Sequence, residues 1–275
     1  MPGKLTLVGT PIGNLGDISP RALRALEEAD FIAAEDTRVT LRLLNHFGIK
    51  KPLISYFEHN KYQSGDRILE RIISGESCAL VTDAGMPAVS DPGEELVALC
   101  ARAGVEVTAV PGPSAVVTAV ALSALPAGRF TFEGFLSTSG RSRQAHLDSL
   151  RGERRAMVFY EAPHKLARTL ADLAAALGGE RPVSLCRELT KLHEEVIRTT
   201  LGEAAERFSA EPPRGEFVLV VAGAPEDSSP RLGEDEALEL VRRYRESGLS
   251  LKDAAKKAAA ESGWSRNELY SRALR

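Results

Sequence analysis

A chain of 275 residues with 43% hydrophobic content buries a sizeable core, and its length favours about two domains. The net charge of −3 is uneven: from Val241 to Arg275 nine Lys and Arg stand against four Asp and Glu, so residues 1–240 carry −8. A polyanionic partner therefore meets the C-terminus first, unless those charges only solvate a terminal helix, while Cys78, Cys100 and Cys186, odd in number and in no CxxC pair, exclude a disulfide or zinc scaffold and fit a reducing compartment.

Met1 to Leu5 passes straight into a strand pattern without the apolar stretch of a signal peptide, and Ala115 to Leu125 is too short to span a bilayer. A cytoplasmic protein without a membrane partner is expected. Periodicity predicts a strand over Lys4 to Val8, a helix opened by Ser19-Pro20, and a strand over Phe31 to Ala34. A helix over Thr40 to Phe47, a strand over Leu53 to Phe57 and a helix over Asp66 to Ile73 follow, stopped in turn by Gly48 and Gly75. Strands over Cys78 to Thr82 and Val105 to Val110, with helices over Glu94 to Arg102 and Ser114 to Leu125, complete a first α/β domain, 1–125, with a mostly parallel sheet.

Pro126-Ala127-Gly128 is a turn after which strands outnumber helices. Strands over Arg129 to Gly134, Met157 to Tyr160, Val183 to Arg187, Glu195 to Thr199 and Glu216 to Val221 predict a mixed sheet. Helices are expected over Arg143 to Leu150, His164 to Leu177 and Leu201 to Phe208, giving a second α/β domain, 126–224. Residues 225–235 read as a linker and 236–275 as a basic tail, where two capped helices joined by a glycine turn resemble a helix-turn-helix and Trp264 fills a small core.

Three glycine- and proline-rich loops follow strands: Gly9 to Asp17, Asp83 to Gly93 and Pro111 to Ala115. Strand ends of a parallel sheet share one edge, so these loops predict one cofactor cleft approached by bare backbone. The first is neither a Walker A sequence nor a GxGxxG fingerprint, which argues against nucleoside triphosphates and NAD.

The runs Val8-Gly-Thr-Pro-Ile-Gly-Asn-Leu-Gly-Asp17, Ala34-Glu-Asp-Thr-Arg38, Asp83-Ala-Gly-Met-Pro-Ala-Val-Ser-Asp-Pro-Gly93, Pro111-Gly-Pro-Ser-Ala115 and Phe159-Tyr-Glu-Ala-Pro-His164 resemble the ribosomal RNA small subunit methyltransferase I family, of the tetrapyrrole-methylase class. The likeness runs from Lys4 to Ala224, and the tail is similar to a helical segment that many members append. The resemblance implies two α/β domains with S-adenosylmethionine in the cleft between them. It also implies methyl transfer to the ribose 2′-oxygen of a cytidine in the decoding region of 16S rRNA, with the RNA or the small subunit as partner, by a homodimer. By the family pattern Pro11, Ile12, Gly13, Asp83, Gly85, Met86, Ser114 and Ala115 line the cofactor.

A sulfonium leaving group asks mainly for alignment, and a ribose hydroxyl asks for a base or a nearby cation. The mixed-charge clusters at Glu35 to Arg38, Glu161 to Lys165 and Arg187 to Lys191 all sit near strand ends. From these, Asp36, Arg38, Glu188 and Lys191 are the expected catalytic residues, with Glu161 and His164 as the alternative. Arg141 and Arg143, together with Lys252, Lys256 and Arg266 of the tail, are expected to meet RNA phosphates, and DNA is not an expected partner. The five histidines show no ligand spacing, so no metal is expected. The competing functions are a tetrapyrrole or precorrin methyltransferase and a non-catalytic RNA-binding protein on the same fold.

Overall fold

A computed structural model of the chain describes residues 2–211, 213–225, 232–264 and 266–274. The expected linker falls largely on 226–231, outside the described residues. Residues Met1–Gly223 form one compact unit and Ala224–Arg275 another.

In the larger unit, strands β1 (Lys4–Val8), β2 (Phe31–Ala34), β3 (Leu53–Ser55), β4 (Cys78–Val81) and β5 (Glu106–Val110) alternate with helices α1 (Pro20–Glu28), α2 (Thr37–His46), α3 (Lys61–Ile73), α4 (Glu94–Arg102) and α5 (Ala115–Leu122). The strands pair in parallel in the order β3-β2-β4-β1-β5. Successive side chains of β2 serve opposite faces: Ile32 and Ala34 join Leu26 and Leu44 on one side, while Phe31 and Ala33 join Ile68, Ile72 and Leu96 on the other. A sheet buried on both faces explains why its strands read as continuous apolar runs.

The second sheet holds β6 (Phe130–Gly134), β7 (Ala156–Glu161), β8 (Pro182–Arg187), β9 (Glu195–Thr200) and β10 (Phe217–Val221) in the order β6-β7-β10-β8-β9. Only β6 and β7 are parallel; the other pairs are antiparallel, so the sheet is mixed. Helices α6 (Gly140–Leu150), α7 (Pro163–Leu177) and α8 (Leu201–Ala210) cover one face through Leu147, Leu166, Leu170 and Phe208. The other face is covered by α5, whose Val116 and Ala119 pack against Val158, Cys186, Val218 and Val220. This borrowed helix is why two sheets make a single compact unit.

In the smaller unit, α9 (Glu234–Glu246), α10 (Leu251–Ser262) and α11 (Arg266–Ala273) bury Ala237, Val241, Ala254, Ala255, Ala258 and Leu269. Trp264 packs on this core and donates its indole N–H to Leu232 O at 2.9 Å. Ser250 caps α10 and Gly263, at φ +69°, ends it. Among the described residues no helix is long and apolar enough to cross a membrane.

Several elements differ from expectation: α6 begins at Gly140 rather than Arg143, and α5 ends at Leu122 rather than Leu125. Helix α2 begins at Thr37, three residues early, because Asp36 caps it by accepting from Arg38 N. Helix α3 begins at Lys61 rather than Asp66; Gly65, a poor helix former, sits inside it against Tyr56 and Leu99. Strand β3 stops at Ser55, and Phe57 N turns to the side chain of Asn60.

Candidate active site

The three glycine-rich loops meet at the carboxyl edge of the first sheet. Thr10 N donates to Gly85 O at 2.9 Å and Gly85 N returns to Thr10 O at 3.1 Å, while the Thr10 hydroxyl donates to Thr82 O at 3.1 Å. The first and third loops touch backbone to backbone: a Cβ on Gly9 would lie 2.7 Å from Gly112 Cα. Gly85 holds φ +85°, a conformation that favours glycine. Ala88 also lies in the left-handed region, at φ +64°, held where a Cβ on Gly93 would come within 2.9 Å of its own.

Above these loops lies a cavity of about 570 Å³, within the usual size range of small-molecule sites. Ile12, Gly85, Met86, Ser114 and Ala115 line it from the first sheet, and Phe135, Tyr160, Glu161, His164, Cys186 and Lys191 from the second.

Lys191 is held by two carboxylates, Glu188 Oε1 and Glu216 Oε2, each 2.9 Å from its Nζ. Burial pulls the Lys191 ammonium down, but the hydrogen bonds and charges of Glu216 and Glu188 outweigh it and raise its pKa above the ordinary value. The Glu216 N–H, 2.9 Å from Glu188 Oε1, leads in holding the Glu188 carboxyl below the usual range, with Lys191 adding to it. Glu188 and Thr190 sit at φ +49° and +66°, so the loop carries backbone strain on both sides of Leu189. Gly215, at φ +85°, leaves room for Glu188, whose Cγ would be 2.5 Å from a Cβ there. The buried Thr190 hydroxyl has no hydrogen-bond partner and lies 3.0 Å from where a Cβ on Gly13 would be.

Two further carboxylates face the cavity. Glu161 is 4% exposed; its oxygens accept from Ala162 N at 2.9 Å and the Thr169 hydroxyl at 2.5 Å. Thr169 in turn accepts from Arg143 Nη2 at 2.9 Å, and Arg143 Nε donates to Asp172 at 2.7 Å. Asp91, in the second loop, has its pKa raised by burial and then by the charge of Glu35, with a hydrogen bond from Thr82 opposing.

The structure separates the expected residues. Pro11 and Asp83 line a smaller neighbouring cavity with Leu15 and Thr40, and Gly13 lies under Lys191 rather than in the cavity wall. Asp36 and Arg38 line neither cavity. Asp36 caps α2, and Arg38, 88% exposed, doubles back on it; this hydrogen bonding holds the Asp36 carboxyl well below the usual range. The expected placement in the cleft is corrected: the pair closes a helix end outside the cavity. Asp83 accepts from Asp36 N at 3.1 Å and ties the same two strand ends together.

Arg143 is also corrected. It is 6% exposed and bonded to Asp172, Thr169 and Ser137 O, so it is internal and faces no polyanion. Arg141, Lys252, Lys256 and Arg266 are exposed. The three cysteines are buried and free, with Cys78 pushed up to about 12 by burial. Among the described residues no group of three or more His, Cys, Asp and Glu is arranged to hold a metal.

Sequence reasoning missed Phe135, Tyr160, Asp91 and Glu216 as cavity residues. Asp91, Glu216 and Tyr160 carried a signal, inside a costly loop, at a strand start and within the run Phe159 to His164; Phe135 carried none, because an edge-on ring contact has no sequence spacing.

Comparison with known proteins agrees with this geometry. The tetrapyrrole (corrin/porphyrin) methylases model matches residues 4–205, and the RsmI C-terminal HTH domain model matches 232–275. A ribosomal RNA small subunit methyltransferase I from Synechocystis is 47% identical over 99% of this chain and 98% of its own length. One from Thermotoga maritima is 49% identical over 221 residues, 80% of this chain and 99% of its own length. In fold, the chain is similar to uroporphyrin-III C-methyltransferase from Thermus thermophilus, solved with S-adenosyl homocysteine: TM-score 0.56, 21% identity, covering 80% of this chain and 97% of that one. With its catalytic fold, its C-terminal unit and nearly its whole length matched, the chain belongs to the ribosomal RNA small subunit methyltransferase I family of tetrapyrrole-type methyltransferases.

Proposed function

We propose that this chain transfers the methyl group of S-adenosylmethionine to the ribose 2′-hydroxyl of a cytidine in the decoding region of 16S rRNA. The observation that carries the reading is the convergence of three backbone-rich loops and the caged Lys191 ammonium on one cavity. The cavity volume suits a nucleoside-sized ligand, and Gly85 keeps backbone bare at its floor. When bound, S-adenosylmethionine supplies an electrophilic methyl on a good leaving group.

The chain's own residues then have three tasks. Ile12, Gly85, Met86, Ser114 and Ala115 hold the cofactor chiefly through main chain and small side chains, and Pro11, Gly13 and Asp83 support those loops from behind. Lys191, kept charged by Glu188 and Glu216, lowers the proton affinity of a hydroxyl brought beside it. Asp91, with raised proton affinity, is the lining carboxylate suited to take that proton, because Glu216 is tied to Lys191 and both Glu161 oxygens accept bonds.

Exposed Lys252, Lys256 and Arg266 of the helix-turn-helix unit, with Arg141, meet RNA phosphates. The resemblance alone supports a homodimer acting in the cytoplasm. Transfer of labelled methyl from S-adenosylmethionine to isolated small ribosomal subunits tests the reading, with large subunits and a uroporphyrinogen-type tetrapyrrole as competing acceptors. Label in the small subunit supports it; label in the tetrapyrrole alone, or none, overturns it.

A further inference from the structure

The end of the cavity remote from Lys191 is aromatic. The sheet order puts β6 three strand spacings from β8, so Phe135, which follows β6, and Lys191, which follows β8, stand roughly 14 Å apart across the sheet. Gly13, under Lys191, belongs to the β8 end.

The placement of Phe135 is built into the strand. Phe132 pairs with Val158 and Gly134 with Phe159, so Glu133 is one residue too many and the strand bulges. Gly134 then takes φ +62°, which favours glycine, and buried Leu136 anchors the chain beyond. Phe135 is left 58% exposed while lining the cavity. Its ring meets Tyr160 edge-on at 5.6 Å, and Tyr160 is backed by Phe132 at 5.0 Å. From the loop after β4, Val89 lines the same cavity at 59% exposure.

A phenyl ring offers a ligand a face and no hydrogen bond. Held by an aromatic neighbour and open to solvent, it suits a planar group arriving from outside. A cofactor is enclosed by its site over most of its surface, whereas a base carried by a large RNA enters over the rim. Ribose chemistry inside a cavity also requires the nucleotide to leave its stack, which deprives its base of a partner.

We propose that Phe135, supported by Tyr160, is the platform on which the base of the target nucleotide stacks once that nucleotide is turned out of the RNA. The proposal rests on the reading of the chain as an RNA ribose methyltransferase. The experiment compares wild type with Phe135→Ala, Phe135→Leu and Phe135→Tyr for methyl transfer to small subunits that lack the modification. S-adenosylmethionine affinity is measured in parallel by calorimetry. Phe135→Ala is expected to lower kcat/KM for the subunits by about 10- to 100-fold, the range of base–aromatic stacking. Phe135→Leu should fall nearly as far, because it keeps apolar bulk without a ring face, and Phe135→Tyr should retain transfer. Cofactor affinity should be unchanged in all three. Lost cofactor affinity in Phe135→Ala, wild-type transfer in Phe135→Leu, or unchanged kcat/KM throughout would each overturn the proposal. A wild-type chain that transfers nothing to small subunits would overturn the functional reading itself, and is distinguishable because it needs no variant.

Discussion

Lys191 crosses directly over Gly13: a Cβ on residue 13 would lie 2.5 Å from Lys191 Cγ. The loop after the first strand and the loop after β8 therefore close on each other only because position 13 carries no side chain. Gly13→Ala is expected to push Lys191 away from Glu188 and Glu216 and to lower single-turnover methyl transfer by about a hundredfold, the scale of a displacement near 1 Å. Lys191→Met should match it while leaving S-adenosylmethionine affinity intact, since the ammonium acts on the acceptor. Transfer at the wild-type rate in both variants would remove Lys191 from the chemistry.

Asp91 gives methyl transfer a pH signature. Its folded pKa is raised, chiefly by burial, so its contribution to stability is present below the unfolded value of about 3.9 and is lost as pH rises through the folded pKa. At neutral pH the ionised group is thus a cost that Asp91→Asn relieves. The variant should melt at or above the wild-type temperature at pH 7 while transferring methyl groups about a hundredfold more slowly. The acid limb of the wild-type rate profile should disappear with it. A variant with lower melting temperature and full activity would make Asp91 a structural residue.

Asp36 should behave in the opposite way. As the cap of α2 and the partner of Arg38, it closes a helix end outside the cavity. Asp36→Ala is expected to lower the melting temperature by a few degrees and leave the transfer rate within about twofold. A large rate loss at unchanged melting temperature would return the pair to the chemistry.

How much of this was legible in the sequence depended on the type of signal. Periodicity located the strands, since Phe31 to Ala34 and Cys78 to Val81 are apolar throughout and buried on both faces. The three loops announced themselves by glycine and proline, and their convergence followed from the parallel sheet. Charge at strand ends was ambiguous. The same mixture of signs made a helix cap at Asp36 and Arg38, a buried network at Glu161, and a caged ammonium at Lys191; burial and partner geometry, which no spacing encodes, separated them. The bulge that delivers Phe135 depends on β6 pairing with β7, a contact made only in the folded chain.

The smaller unit should be separable from the chemistry. Met1–Gly223 and Ala224–Arg275 are each compact by themselves. Truncation after residue 231 is expected to leave S-adenosylmethionine affinity unchanged, to weaken RNA binding, and to flatten the dependence of that binding on salt by about one unit of log–log slope per lost phosphate contact. An unchanged salt slope would make the unit a bystander in RNA recognition.

Ribose methylation in the cavity between the two sheets is read out by nucleoside mass spectrometry of 16S rRNA. Small subunits lacking the modification are incubated with this chain and methyl-labelled S-adenosylmethionine, and their RNA is digested to nucleosides. Label is expected in a 2′-O-methylcytidine from the decoding region, abolished by Lys191→Met. Label on a base or on another nucleoside would rule out cytidine ribose methylation, and equal label in wild type and Lys191→Met would remove Lys191 from the chemistry.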